Sequence, residues 1–276
     1  MINILTDSCA DLSQPLLDAH TIRMIPLHVL VSDKDFYDNQ ISLEELYQSV
    51  NETSQLPKTA APSVQEFMPF FDLEGPSIYI GLSTKLSATM QNATLAAQQI
   101  GKPDLHLVDS LNLSTGIGLL VLKAADLRDA GKSLNDILQE IGTTRSKVKT
   151  SFVIDTMEYL HKGGRCTGLQ AFVGSMLKIR PIIHVQEDGT LAVLDKVRGS
   201  RKKSLDVLLS KFEADLPNMD LSRIFVTHSG CAEDAAYLVN AIKNRANIDN
   251  VYTTVAGATI ASHCGPDTIG ILYILK

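Results

Sequence analysis

The chain has 276 residues, enough for about two domains. It is 45% hydrophobic and 20% charged, a balance that excludes a disordered tail and supplies a packed core; with 5% aromatic residues and no Trp, that core is aliphatic. The net charge of -6 provides no global field for a polyanion, which disfavours nonspecific nucleic-acid or anionic-membrane binding. Residues 2–6 read as a first strand and residues 21–31 as a longer extended segment. The first residues, Met1 to Asp7, carry no positively charged n-region. The most apolar run, 269–275, falls far short of the roughly 18 residues a membrane span needs. A soluble, cytoplasmic protein is expected.

Ser42 with Glu45, and Ser63 with Glu66, fit the capping box that opens a helix. Residues 77–82 and 105–109 are short apolar runs, expected to be buried strands, with one helix between them at 89–100 and another following to about residue 130. This alternation predicts an α/β layer architecture with a mainly parallel sheet. Beyond residue 150 the pattern changes. Two β-like runs, 181–185 and 191–196, flank Glu187-Asp188-Gly189-Thr190, and Asp-Gly in that setting is a hairpin signal. The reading is two domains: an N-terminal mainly parallel α/β domain at 1–148, and a C-terminal α/β domain at 149–276 with a mixed or antiparallel sheet.

No standard catalytic signature is present: neither G-x-S-x-G, H-E-x-x-H, a Walker loop nor G-x-G-x-x-G. Gly116-Ile117-Gly118 lacks the third glycine. Cys9, Cys166, Cys231 and Cys264 are scattered without a C-x-x-C pair, which argues against structural zinc or a disulfide framework. No metal site or catalytic group is expected.

Polar loops at strand-to-helix junctions remain, namely Thr6-Asp7-Ser8 and residues 58–63 and 81–89. In α/β sheets such loops gather where ligands bind, and hydroxyls with free N–H groups form an anion site; plain helix capping uses the same residues. At 168–179, Leu169, Phe172, Val173, Met176 and Leu177 share one helical face. That face suits a core as well as the wall of an apolar pocket. Arg198, Arg201, Lys202 and Lys203 cluster at an expected helix start, an awkward place for cations. They are either a solvated helix end or a dock for an acidic partner or, transiently, an anionic membrane surface.

Taken in order, Thr6-Asp7-Ser8, Pro57-Lys58-Thr59 with Pro62-Ser63, Leu82-Ser83-Thr84-Lys85-Leu86-Ser87, the run from Asp155 through Gly163-Gly164-Arg165, Lys196-Val197-Arg198-Gly199 and His263-Cys264-Gly265-Pro266 resemble the DegV family. Its members are bacterial fatty-acid-binding proteins, some of which present a bound fatty acid to a fatty acid kinase that makes acyl phosphate for phospholipid metabolism. The resemblance implies a two-domain α/β fold with one long-chain fatty acid in a tunnel at the domain interface, no cofactor and no catalysis by the chain itself. It also implies that Thr59 and Ser87 hold the carboxylate, with His263 beside them and Arg165 near the place where the kinase works.

Two rivals stay open: an acyl hydrolase with Ser87 as nucleophile and His263 as base, and a lipid-sensing regulatory protein. The sequence departs from the family pattern at Ala60, Ala61, Ala88 and Asp267. Pointing inward, Asp267 would repel a carboxylate.

Overall fold

The structure, a computed structural model, describes residues 1–165 and 179–276. Strand β1 (Asn3–Asp7) pairs in parallel with β2 (Ile22–Ile25) and with β6 (Ser77–Gly81), which in turn pairs with β7 (Leu105–Asp109). The result is a four-stranded parallel sheet of order β2-β1-β6-β7. All of β6 is buried, as a strand covered on both faces must be, and that explains its unbroken apolar run. Helices fall as the caps and periodicity predict. The helix α2 (Leu43–Thr53) opens on the Ser42–Glu45 box, α3 (Val64–Phe71) on the Ser63–Glu66 box, and α4 (Thr89–Ile100) and α5 (Thr115–Asp129) follow their strands.

One expectation is corrected. The extended segment at 21–31 is two strands in two sheets, because Pro26 has no N–H to continue a ladder. After it, β3 (His28–Val31) joins β4 (Lys34–Tyr37) and β5 (Lys58–Ala60) in a separate antiparallel sheet of order β4-β3-β5.

Val148 opens the second large sheet, made of β8 (Val148–Val153), β9 (Ile179–Val185), β10 (Leu191–Arg198), β11 (Ile224–His228), β12 (Val251–Val255) and β13 (Ile269–Ile274) in the order β10-β9-β8-β13-β11-β12. It is mixed, with β11 and β12 parallel and the other pairs antiparallel. The hairpin expected around Asp188-Gly189 is β9–β10. The apolar helical face proposed at 168–179, with Leu169, Phe172, Val173 and Met176, lies outside the described residues except for Ile179, which opens β9.

Helix α5 is buried between the two large sheets. Its Ile117 and Leu119–Leu122 share one core with Ile4, Ile78 and Ile80 of the parallel sheet and Phe225 and Leu272 of the mixed one. Close packing explains the glycines the motif search set aside: a Cβ on Gly116 would lie 2.1 Å from Asn112 Oδ1, and one on Gly118 2.8 Å from Leu12. The short α10 (Ala258–Cys264) returns late in the chain to pack against Val29, Val31 and Leu46.

Candidate functional site

A cavity of about 230 Å³ has walls from the mixed sheet, from the segments that follow β1, β2, β6 and β7 of the parallel sheet, from β5 and from α10. Thr59, Ser87, Arg165 and His263 all line it, while Leu27, Leu82, Leu113, Phe152 and Leu272 supply apolar wall. The four candidate head-group residues come from four separate places in the chain.

Thr59 is the middle residue of β5, opposite Val29 of β3, and its hydroxyl meets His263 Nε2 at 2.8 Å. The helix bearing His263 is held at its start by two buried carboxyls. Gly257 N–H donates to Asp11 Oδ1 (2.8 Å) and Thr259 N–H to Asp38 Oδ1 (2.9 Å). Burial, and then the charge of Arg165, push the pKa of His263 down to about 4. The imidazole is neutral, and its Nδ1 is buried without a partner among the described residues. It offers hydrogen bonds to an anion but no charge. Gly163 presses against it, since a Cβ there would come within 2.5 Å of His263 Nδ1.

Ser87 precedes α4. Its Oγ lies 2.8 Å from Thr89 Oγ1 and accepts the Thr89 N–H at 3.2 Å, so one side chain both shapes the helix entry and lines the cavity. Arg165 follows the short helix α7 (Glu158–Lys162). Its Nε donates to Leu86 O (3.0 Å) and its Nη1 to Gly163 O (2.6 Å). Burial lowers its pKa from the ordinary arginine value, yet a guanidinium stays protonated in proteins. No carboxylate pairs with it among the described residues, and residues 166–178 contain neither Asp nor Glu.

Two readings of the sequence are corrected. Asp267 is exposed and does not line the cavity; its left-handed backbone (φ 57°) donates N–H to Ser229 O and accepts from Arg201, so no carboxylate faces the head-group end from this position. The basic cluster is not four free cations. Arg201 is 21% exposed, with Nη1 2.9 Å from Asp155 Oδ1, Nε on Asp234 and Nη2 donating to Asp267 O at 2.7 Å. Lys202 pairs with Asp206 (3.1 Å) and reaches Tyr237 OH (3.1 Å), and Lys203 Nζ donates to Arg198 O (3.3 Å). Ala60, Ala61 and Ala88 do line the cavity, as methyl groups.

Sequence reading missed Asp11, Asp38 and Gly163. Asp11 and Asp38 act through backbone N–H groups more than 200 residues away, a relationship that no spacing rule carries. Among the described residues no group of three or more His, Cys, Asp or Glu side chains is arranged to hold a metal, and no helix is long and apolar enough to cross a membrane.

Fold and site together define an α/β protein with a largely apolar cavity whose wall carries a guanidinium, hydroxyls and a neutral imidazole. A family model described as "Uncharacterised protein, DegV family" matches residues 1–276, and the chain belongs to the DegV family. It is similar to a DegV domain-containing protein of Caldanaerobacter subterraneus, 31% identical over 277 residues that cover 99% of this chain and 98% of the other. It is also similar to a Thermotoga maritima protein named fatty acid-binding protein, 30% identical over 279 residues, 98% of this chain and 96% of the other. Among solved structures, one presented as fatty acid binding of a DegV family protein from Thermus thermophilus matches with a TM-score of 0.93 and 32% identity over 99% of each chain.

Proposed function

We propose that this chain binds one long-chain fatty acid in the cavity, with the carboxylate among Arg165, Thr59, Ser87 and His263 and the acyl chain along the apolar walls, and that it performs no chemistry itself. The carrying observation is Arg165, a half-buried cation at an apolar cavity with no carboxylate partner among the described residues. A buried charge left unpaired is costly, and a ligand carboxylate supplies the missing partner. Charge-assisted hydrogen bonds to Arg165 and neutral ones to the hydroxyls and imidazole hold an anion well. Burial of about 14 methylenes of a C16 chain supplies roughly 11 kcal/mol gross, at about 0.8 kcal/mol each before association costs. The relatives named for fatty acid binding support the same reading.

The cavity walls come from both sides of residue 148, which supports a ligand at the junction of two domains, 1–148 and 149–276. In the cytoplasm the protein would present the carboxylate to a fatty acid kinase, with Arg165 beside the group to be phosphorylated. Arg198 and Lys203, both exposed, are the members of the basic cluster best placed to meet an acidic partner or, in passing, a membrane surface. The hydrolase rival finds no support in the hydrogen bonding: Ser87 pairs with Thr89, His263 with Thr59, and no carboxylate orients the imidazole among the described residues.

Mass spectrometry of the lipid released by denaturing protein purified from a bacterial host tests the reading. One long-chain fatty acid per chain is expected, with stabilisation by added palmitate or oleate. An empty extract with no thermal shift overturns it.

A further inference from the structure

The polar side chains of the cavity wall divide into those with partners and those without. Ser114 donates to Asp11 Oδ2 (2.5 Å) and Thr150 to Asn112 Oδ1 (2.7 Å). Thr227 shares hydrogen bonds with Thr115 (2.6 Å) and Thr254 (2.8 Å). Ser229 donates to Gly265 O (2.6 Å) and Thr268 to Cys264 O (2.9 Å). Each of these hydroxyls is satisfied within the protein, and none needs anything from a ligand.

His228 is different. It lines the cavity and is 6% exposed; its Nδ1 is sealed and has no partner among the described residues, so Nε2 is the ring nitrogen open to a ligand. Its other ring nitrogen makes no hydrogen bond among the described residues either. The residue closes β11, and its carbonyl accepts the Ala256 N–H at 2.9 Å, so the backbone is anchored where the ring meets the cavity. Three residues beyond Ala256, Thr259 lines the same cavity at 2% exposure, and its hydroxyl also lacks a partner among the described residues. Burial lowers the pKa of His228. The ring is therefore neutral, with one N–H to donate and one lone pair to accept. Buried polar groups in native proteins are almost always hydrogen-bonded, and an exception calls for an explanation. A plain hydrocarbon chain cannot supply one.

We propose that the preferred ligand carries an oxygen function, a hydroxyl or an oxo group, on its acyl chain, and that this oxygen hydrogen-bonds His228. The inference rests on the fatty-acid reading above and specifies the class of fatty acid. His228 is then a specificity-determining residue, because a site built to hydrogen-bond an oxygen discriminates against the analogue that lacks it.

The test is displacement of a fluorescent fatty acid by stearate, by hydroxystearates with the hydroxyl at successive positions, and by the matching oxostearates. At least one oxygenated isomer is expected to bind about tenfold more tightly than stearate, the value of one buried hydrogen bond. A preference for hydroxyl over oxo would mark Nε2 as the acceptor. His228→Leu is expected to abolish the preference and to bind stearate more tightly than the wild type does, since it removes an orphan polar group; His228→Gln, which keeps a donor, retains part of the preference. If stearate binds as well as every oxygenated isomer, or if the preference survives in His228→Leu, the proposal is overturned while the fatty-acid reading stands. If no fatty acid binds at all, stearate included, the fatty-acid reading fails and this inference goes with it. The wild-type comparison decides the matter even where a variant does not fold.

Discussion

Thr59 and His263 stand 204 residues apart in the chain and share a 2.8 Å hydrogen bond between Oγ1 and Nε2. The contact joins the small antiparallel sheet to α10 at the polar end of the cavity. Both partners are fixed from behind, Thr59 by its place in β5 against β3 and His263 by a helix whose start is held on Asp11 and Asp38. Under the proposed function, a carboxylate here would meet a hydroxyl and an imidazole already oriented, with little ordering left to be done on binding.

Arg165→Met keeps much of the apolar stem and removes the charge. Affinity for palmitate should fall about 10- to 100-fold, matching the roughly 1.5–3 kcal/mol of a hydrogen bond to a charged group. Titration calorimetry measures it, and an unaltered Kd would remove Arg165 from the head-group site.

Gly163→Ala tests the packing behind His263. The backbone there is ordinary (φ -73°), so only the added methyl matters, and it would sit 2.5 Å from His263 Nδ1 and 2.8 Å from Tyr159 O. Destabilisation of about 1–3 kcal/mol is expected, together with weaker palmitate binding. Gly142, in the helix α6 (Leu134–Thr144), has open space at its Cβ position. Gly142→Ala should instead stabilise by about 0.5–1 kcal/mol. Paired urea titrations compare the two.

His263 carries a pH signature. Its folded pKa of about 4 lies below the ordinary 6.5, so the unfolded chain binds the extra proton between these values. The stability involved is fully present above about pH 6.5 and lost as pH falls toward 4, by about 3 kcal/mol. Denaturation midpoints of wild type and His263→Gln, measured across pH 7 to 4, should converge as the pH drops. A constant gap would mean that His263 is not held neutral.

Asp11 has the opposite sign. Burial pushes its carboxyl up to about 8, against hydrogen bonds from Ser114 and Gly257 that lower it and with Asp38 and Asp7 adding to the rise. The folded state holds the proton more tightly, so the stability it contributes is complete below about pH 4 and is lost as pH climbs toward 8. Asp11→Asn still offers an acceptor to Gly257 N–H and no longer titrates. It should gain on the wild type as pH rises, on the order of 5 kcal/mol by pH 8, read as a difference in Tm between pH 5 and pH 8.

Arg201→Met should cost about 1–3 kcal/mol, because it leaves Asp155 and Asp234 part-buried, with Arg180 as the remaining partner of Asp155. Lys203→Ala, fully on the surface, should stay within about 0.5 kcal/mol. If Lys203→Ala together with Arg198→Ala weakens binding to a fatty acid kinase at low salt while Arg201→Met acts only through stability, the docking role belongs to the exposed pair.

Much of the architecture was legible before any coordinates. The Ser42 and Ser63 caps, the helix at 89–100, the strands at 77–82 and 105–109 and the Asp188-Gly189 hairpin are local features, written in neighbouring residues as periodicity, cap chemistry and turn chemistry. Burial was legible only for the first of the two strands, because β7 is an edge strand and is part-buried throughout. Thr59, Ser87, Arg165 and His263, singled out from four separate stretches of sequence, all line one cavity. Local signals failed where a long-range partner overruled them. Arg201 reads as one of four surface cations until Asp155 and Asp234 arrive from elsewhere in the chain, and Asp267 reads as a threat to an anion until its backbone is seen to turn the residue outward. Residues 21–31 read only as a longer extended segment, because alternation says nothing about which sheet receives each half.

The sequence by itself determined a Trp-free, aliphatic core, an α/β order of elements and a set of polar loops at strand ends, because each of these depends on residues close together in the chain. Only the tertiary structure decided that His263 is neutral and that, among the described residues, Arg165 has no carboxylate beside it and His228 lines the cavity with its hydrogen bonds unmade. Those are statements about what lies within a few ångströms of an atom. Segments hundreds of residues apart determine them, and they are read only once the chain has brought those segments together.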